Sequence, residues 1–316
     1  ILATQLALDM KLKVLQVLPI FFKNYAYDIH GSLCTKMLRC CSSLLQSANK
    51  APMVVGTASA TLQQLIDEIF ERLLPEEDHG EPHTEKDKKF DVLIGNNESI
   101  KVDVYRYDAN RLFADLCSSF ELTDHSGALN RVPLLDVRDL PLDYGLEILE
   151  SVMKNTESLF LIYEDLQFLL RTKTVPFLLR CMSSSKSFPT VLRSYRCIKL
   201  LIKKEFLSIL ELEMEVVLSL LIHSISADTD SPHWKKVLSL ELFLDASHDF
   251  ELLCDIFMSY DNYPDRKHIL TSLLREFLRL LASEDMQNCL CEAPIVKKMD
   301  MPIISSETFD NRTQFV

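Results

Sequence analysis

Glycine is nearly absent, with 6 residues in 316, where usual usage of roughly 7% would give about 22. Glycine supplies positive-φ turns, sheet bulges and backbone that approaches phosphate closely. Its scarcity argues against β-hairpins and nucleotide-cradling loops. Patterned cysteine is missing too. The nine cysteines stand at 34, 40, 41, 117, 181, 197, 254, 289 and 291, an odd number, mostly on apolar helical positions. Free buried thiols in a reducing compartment explain them better than a disulfide framework. Cys289 and Cys291 have no second pair to complete a zinc site. No apolar run approaches the roughly 20 residues of a membrane-spanning helix, and no basic segment with a small-residue cleavage site marks a signal peptide. The chain opens at Ile1 inside an amphipathic pattern, so it reads as a piece of a longer protein. Positive charge is also short, the net value being −12. Residues 1–74 carry +2, 75–141 carry −7, 142–283 carry −4 and 284–316 carry −3. Without a basic footprint, nucleic acid is not expected as a partner.

What the chain does have is helical periodicity. Hydrophobic residues make up 47% of it and recur at i, i+3 and i+4. Residues 3–24, 29–47 and 53–74 read as three helices, with Pro19 breaking or kinking the first. Leu62, Leu65, Ile66, Ile69, Phe70 and Leu73 form the stripe of the third. Residues 75–100 are charged and aperiodic and read as a solvated loop. A helix fits 107–122, with Leu112, Phe113, Leu116 and Phe120 on one face. From 143 onward the spacing predicts helices near 143–154, 156–171, 174–183, 189–204, 206–226, 233–245, 248–259 and 265–283. Pro189, Pro232 and Pro264 stand at or just before helix starts, where a missing N–H costs nothing. The 206–226 helix is apolar nearly all round and is expected to lie between layers. The fold class is therefore all-α, an armadillo-like helical repeat superhelix whose repeats are too degenerate for a fixed period. The division expected is a helical domain over 1–74, an acidic linker over 75–141 with one helix, a repeat domain over 142–283 and a loosely held tail over 284–316.

Catalytic and metal motifs are not found. His79-Gly80-Glu81-Pro82-His83 lacks the H-E-x-x-H spacing, and Gly80 and Pro82 oppose the helix a zinc site would need. No cofactor is expected. One helix carries a feature that points outward. Arg193, Arg196, Lys199 and Lys203 share a third of the circumference of the 189–204 helix, opposite Tyr195, Ile198, Leu201 and Ile202. Such a stripe suits anionic lipid headgroups or an acidic partner, and the plainer reading is a solvated face paired with glutamates such as Glu205 and Glu211. Trp234, the single tryptophan, reads as a core or inter-repeat anchor rather than a partner hot spot. Asp261 or Asp265 is placed to cap the helix that follows the turn at 260–263.

Five segments, in order, resemble the amino-terminal region of the large Arf guanine-nucleotide exchange factor family. They are TASATLQQLIDEIFERL (57–73), DANRLFADLCSSF (108–120), LPLDYGLEILESVM (140–153), VLRSYRCIKLLIKKEFLSILELEMEVVLSLLIHSI (191–225) and SYDNY (259–263). That region joins the dimerisation and cyclophilin-binding (DCB) domain to the domain upstream of the catalytic one (HUS). The turn box of the exchange factors reads approximately Asn-Tyr-Asp-Cys-Asp. Tyr260 and Asp261 match it, whereas Ser259 and Asn262 depart from it, and this is similar to the branch that lacks the exchange domain. The resemblance implies a non-enzymatic scaffold, cytosolic and peripheral on trans-Golgi and endosomal membranes, which self-associates. It also implies contacts with a Dopey-type scaffold, a flippase and Arf-like GTPases. The alternatives are the regulatory region of an active exchange factor, or a karyopherin-like cargo adaptor.

Overall fold

A computed structural model of the chain describes residues 8–46, 51–74, 89–95, 98–118, 133–136, 140–226 and 232–282. The chain divides into two compact units, residues 1–177 and 178–316. The first unit opens with α1 (Leu8–Asn24), α2 (Gly31–Gln46) and α3 (Pro52–Glu71). A hairpin of β1 (Phe90–Leu93) and β2 (Ser99–Val102) follows, then α4 (Val104–Ser118), α5 (Leu142–Asn155), α6 (Glu157–Ile162) and α7 (Glu164–Leu169). A π-helical turn, Leu170–Thr174, leads into α8 (Val175–Ser184), within which the division between units falls. The second unit holds α9 (Phe188–Leu201), α10 (Lys204–Leu207), α11 (Glu211–Ile225), α12 (His233–Ser247) and α13 (Phe250–Ile256). A second π-helical turn, Phe257–Asp261, precedes α14 (Ile269–Ala282). The fold is helical, as the periodicity requires.

Each helix buries the stripe its spacing defines. In α3 the residues Leu62, Leu65, Ile66, Ile69 and Phe70 are all buried, and the helix packs on α1 and α2. Pro52 opens α3 at a position whose N–H has no helical partner in any case. Asp103 starts α4, its Oδ1 accepting from the N–H groups of Tyr105 (2.8 Å) and Arg106 (2.9 Å). In the second unit α11 packs on α12 and α14, and Val217, Leu221 and Ile225 of α11 are buried, as are Leu238 and Leu242 of α12. Tyr195 of α9 lies fully within that core, its hydroxyl 2.7 Å from Ser239 Oγ.

The structure corrects five expectations. Pro19 does not break the first helix, which runs continuously from Leu8 to Asn24. The stretch read as loop over 75–100 contains the antiparallel hairpin, paired Phe90 with Val102 and Val92 with Ile100. Val92 and Val102 turn their side chains inward, and Phe90 stacks on Tyr107 of α4 at 4.5 Å, so the hairpin is held by its neighbour. The 206–226 helix is two: α10 closes at Leu207, the chain turns through Ser208–Leu210, and α11 begins at Glu211. Leu212 and Val216 stand exposed on α11, so that helix is not apolar-packed on all sides. The helix expected to reach 204 ends at Leu201, with Lys203 in extended conformation beyond it. Trp234 is half-buried, so of its two expected roles the core one is not taken; it packs between helices instead, edge-on to Phe188 of α9 at 5.3 Å with Lys235 over its ring. Phe120, residues 75–88 and the tail over 284–316, including Cys289 and Cys291, lie outside the described residues.

Candidate protein-interaction surfaces

In the first unit, residues beyond position 100 grip the first three helices largely through backbone atoms. Tyr105 donates its hydroxyl to the carbonyl of Tyr27 (2.7 Å), Tyr144 to that of Ser59 (2.9 Å) and Tyr163 to that of Leu73 (3.1 Å). Asp108 reaches the opposite pole of the peptide, its Oδ2 accepting from the N–H of Gly31 at 2.6 Å. Gly31 begins α2 at φ +53°, so Asp108 satisfies an N–H that the helix itself cannot. Burial pushes the Asp108 carboxyl above the ordinary carboxylate range, and the Gly31 N–H together with Arg111, His30 and Arg72 pulls the other way. Burial likewise raises the Tyr144 phenol to about 12, so it stays a donor at neutral pH.

An aromatic row fills the seam beneath these bonds. Phe70 of α3 meets Phe113 of α4 edge-on at 6.3 Å, and Phe113 meets Phe160 of α6 at 4.9 Å. Alongside it Arg106 pairs with the wholly buried Asp165, which also accepts from Asn110 Nδ2 at 3.0 Å. The Arg106 guanidinium lies over the Tyr163 ring at 4.2 Å. Arg72 closes the edge, donating to the carbonyls of Ala26 (2.5 Å) and Ile29 (3.0 Å) with its guanidinium over Phe22 at 4.0 Å. Sequence reading missed this seam because its members are far apart in the chain and follow no local period. The one available signal was a tyrosine near the start of each of several helices, each able to bury its ring and direct its hydroxyl at a backbone atom.

The turn after α13 is built as a hub. Tyr260 is fully buried and donates its hydroxyl to the carbonyl of Glu211 at 2.8 Å. Burial and the nearby Glu211 raise its phenol. Asp261 accepts from Leu270 N (2.9 Å), Thr271 N (3.0 Å) and Thr271 Oγ1 (3.0 Å), so it caps α14. Asn262 donates its N–H to the carbonyl of Phe257 at 3.0 Å, closing the π-helical turn. Arg266 pairs with Glu211 at 2.5 Å. Asp265 does not share in the cap.

Arg193, Arg196 and Lys199 lie on α9, each half-buried, while Lys203 follows its end. Lys199 is committed to Asp245 at 2.8 Å. Of the residues expected opposite, Tyr195, Ile198 and Leu201 are buried, while Ile202, just past the end of α9, is half-buried. Among the described residues no group of three or more His, Cys, Asp and Glu side chains is arranged to hold a metal ion. Cys34, Cys41, Cys117, Cys181 and Cys197 are buried thiols outside any disulfide, and Cys254 is an exposed one. Burial lifts the thiols of Cys34 and Cys41 to about 12 and that of Cys181 to about 11. No described helix is long and apolar enough to cross a membrane.

Two family models match the chain. The dimerisation and cyclophilin-binding domain of Mon2/Sec7/BIG1-like proteins matches residues 1–77, and their HUS domain matches residues 105–269. The seam thus joins the first match to the start of the second. Protein MON2 of Saccharomyces cerevisiae is 55% identical over 314 residues, 99% of this chain and 19% of that protein. The Protein MON2 homolog of Schizosaccharomyces pombe is 27% identical over 307 residues (97% of this chain, 16% of the relative), and that of Homo sapiens 27% over 294 residues (86% and 16%). The chain spans less than a fifth of the length of these curated relatives. With the HUS match alone extending over more than half of its residues, and the DCB match ahead of it, the chain belongs to the Mon2/Sec7/BIG1-like family.

Proposed function

We propose that the chain is the amino-terminal part of a non-enzymatic scaffold for vesicle traffic between endosomes and the Golgi, acting through protein contacts and self-association. The observation that carries this reading is the outer face of α1. Met10, Val17, Ile20 and Phe21 are exposed there, and Tyr25 continues the face beyond the helix, with its ring 4.8 Å from that of Phe21. An exposed apolar cluster of this kind, with Lys13 the one charge among it, suits an interface better than a solvated surface, and it falls in the segment matched by a dimerisation domain. On this reading 1–74 and 142–283 are working modules and 75–141 joins them. The parent protein is peripheral on trans-Golgi and endosomal membranes, with a Dopey-type scaffold, a flippase and Arf-like GTPases as partners. The face of Arg193, Arg196, Lys199 and Lys203 supplies contact with anionic lipid or an acidic partner, and Tyr260, Asp261 and Asn262 hold the turn in the form a partner meets.

Light scattering across a concentration series tests self-association. Wild type should pass from monomer to dimer, and the paired change Ile20→Asp and Phe21→Asp should hold it monomeric with an unchanged helical spectrum. A wild type that stays monomeric at every concentration removes the support. Sedimentation with acidic vesicles tests the basic face, where glutamine at all four positions should lower binding. If the full-length parent accelerates nucleotide exchange on Arf-like GTPases, the regulatory region of an exchange factor becomes the better reading.

A further inference from the structure

In the second unit α12 and α14 each pack on α11, and an apolar groove lies between them. Its outer part, about 470 Å³, is walled by Leu240 and Leu244 of α12 and by Phe277 and Leu281 of α14. Phe243, Ser247 and Phe277 border both it and an inner cavity of about 280 Å³. A cavity of about 150 Å³ accepts a benzene ring, so the outer part alone has room for about three leucine-sized or ring-sized groups. Leu244, Leu274 and Leu281, which line this space, are 59%, 61% and 60% exposed, and Leu278, one turn from both Leu274 and Leu281, is 69% exposed. Apolar surface on this scale marks a place where something docks.

The charges beside the groove select its occupant. On the α12 side Asp245 is paired with Lys199, Lys236 donates to the carbonyl of Ser226, and Glu241 lines the wall. On α14 the only exposed charges are Arg275 and Arg279, one turn apart. Arg279 gives one N–H to Glu276 at 3.0 Å and stays 57% exposed. The Arg275 side chain has no ionic or hydrogen-bonded partner among the described residues. The α14 flank is thus basic in a chain whose net charge is −12. A bilayer would reach the rim leucines but not Phe243 and Ser247, since a flat surface does not enter a concave one. A second copy in a closed two-fold dimer would bring the same basic flank twice into one interface, with no exposed acid on α14 to meet it. An amphipathic helix avoids both difficulties. Its apolar ridge at i, i+4 and i+7 enters the groove, and acidic residues along one flank meet Arg275 and Arg279. From Leu270 to Leu281 the α14 wall runs about 16 Å at the helical rise, or about three turns. We propose that the α12–α14 groove docks an amphipathic helix of a partner protein, about three turns long, with its apolar ridge in the groove and acidic side chains on the flank toward α14.

The test uses the full chain and fluorescence anisotropy. The probe is a stapled helical peptide of about 12 residues, with leucine at i, i+4 and i+7, glutamate on one flank and glutamine on the other. Its twin carries lysine in place of glutamate. Wild type should bind the glutamate peptide about tenfold more tightly than the lysine twin. Arg275→Glu combined with Arg279→Glu should reverse that preference. Leu244→Gln combined with Leu278→Gln, both at exposed positions, should weaken the glutamate peptide about tenfold while helical spectrum and melting temperature stay the same. Ile20→Asp with Phe21→Asp on α1 should leave peptide binding as it is, which separates this groove from self-association at α1. Equal binding of the two peptides by wild type, or binding of neither, overturns the proposal. So does glutamate-peptide binding that survives the change of Leu244 and Leu278. Should that change instead abolish a dimer in light scattering or sedimentation with acidic vesicles, the groove belongs to a second copy or to a lipid surface, and the proposal falls.

Discussion

Gly31 is the one described residue whose backbone dictates its identity, since no other takes a positive φ. A Cβ added there would meet no heavy atom within 4 Å, so Gly31→Ala isolates the conformational cost. It should destabilise the fold by about 1–2 kcal/mol in chemical denaturation. Its partner Asp108 makes a second prediction. Burial raises the Asp108 carboxyl above its unfolded value, so the folded state favours the protonated form. The resulting penalty is complete above the folded pKa and fades as pH falls toward the unfolded one. Asp108→Asn keeps an oxygen to accept from Gly31 but does not titrate. Urea melts of the two proteins should therefore move in favour of wild type as pH is lowered from about 7 to about 4. A difference that stays constant across that range would deny Asp108 its raised pKa. Little of this was legible in the sequence. A buried stripe is written in spacing, whereas a carboxylate that caps a helix 77 residues away is not.

Whole elements were legible where one period governs them, as with the stripe of α3. They failed where two signals compete. Residues 206–226 are apolar enough for one helix, yet the Leu210 N–H bonds to Phe206 O at 2.8 Å and closes a turn before Glu211 starts the next. In α11, which starts after that break, Leu221 is buried and Leu212 is exposed. Leu221→Ala should cost about 2–5 kcal/mol, while Leu212→Ala should change stability by under about 0.5 kcal/mol. Similar losses at both positions would restore the all-round packing that the composition suggested. The hairpin was missed because glycine scarcity argues against hairpins in general, whereas this one joins Leu93 to Ser99 with Ile94 N bonded to Glu98 O and Gly95 needing no positive φ. At the hub, the resemblance singled out Tyr260 and Asp261, while helix-capping logic offered Asp261 or Asp265, and the structure gives the cap to Asp261. Asp261→Ala removes the acceptor for two N–H groups at the head of α14 and should cost about 1–2 kcal/mol in thermal or chemical melts.

At the scale of the molecule, helix content followed from composition and period, while the functional reading came from family resemblance. What neither gave is how residues 1–77 are held by those after 104. The seam uses hydroxyls on backbone carbonyls, contacts that leave the side chains of α3 free to vary at those points. Because α3, α4 and α5 share one compact unit, the seam should make them open together. Each part-buried tyrosine hydroxyl that loses its carbonyl costs about 1 kcal/mol. The pair Tyr144→Phe and Tyr163→Phe should then cost about 2 kcal/mol, roughly a thirtyfold rise in the open fraction. Hydrogen exchange should register that rise equally in Pro52–Glu71, Val104–Ser118 and Leu142–Asn155. Exchange that rises in α5 while α3 keeps its protection would mean that the first three helices form a separate cooperative unit. The tyrosine bonds would then dock two finished domains, whereas a common rise makes the seam part of a single core.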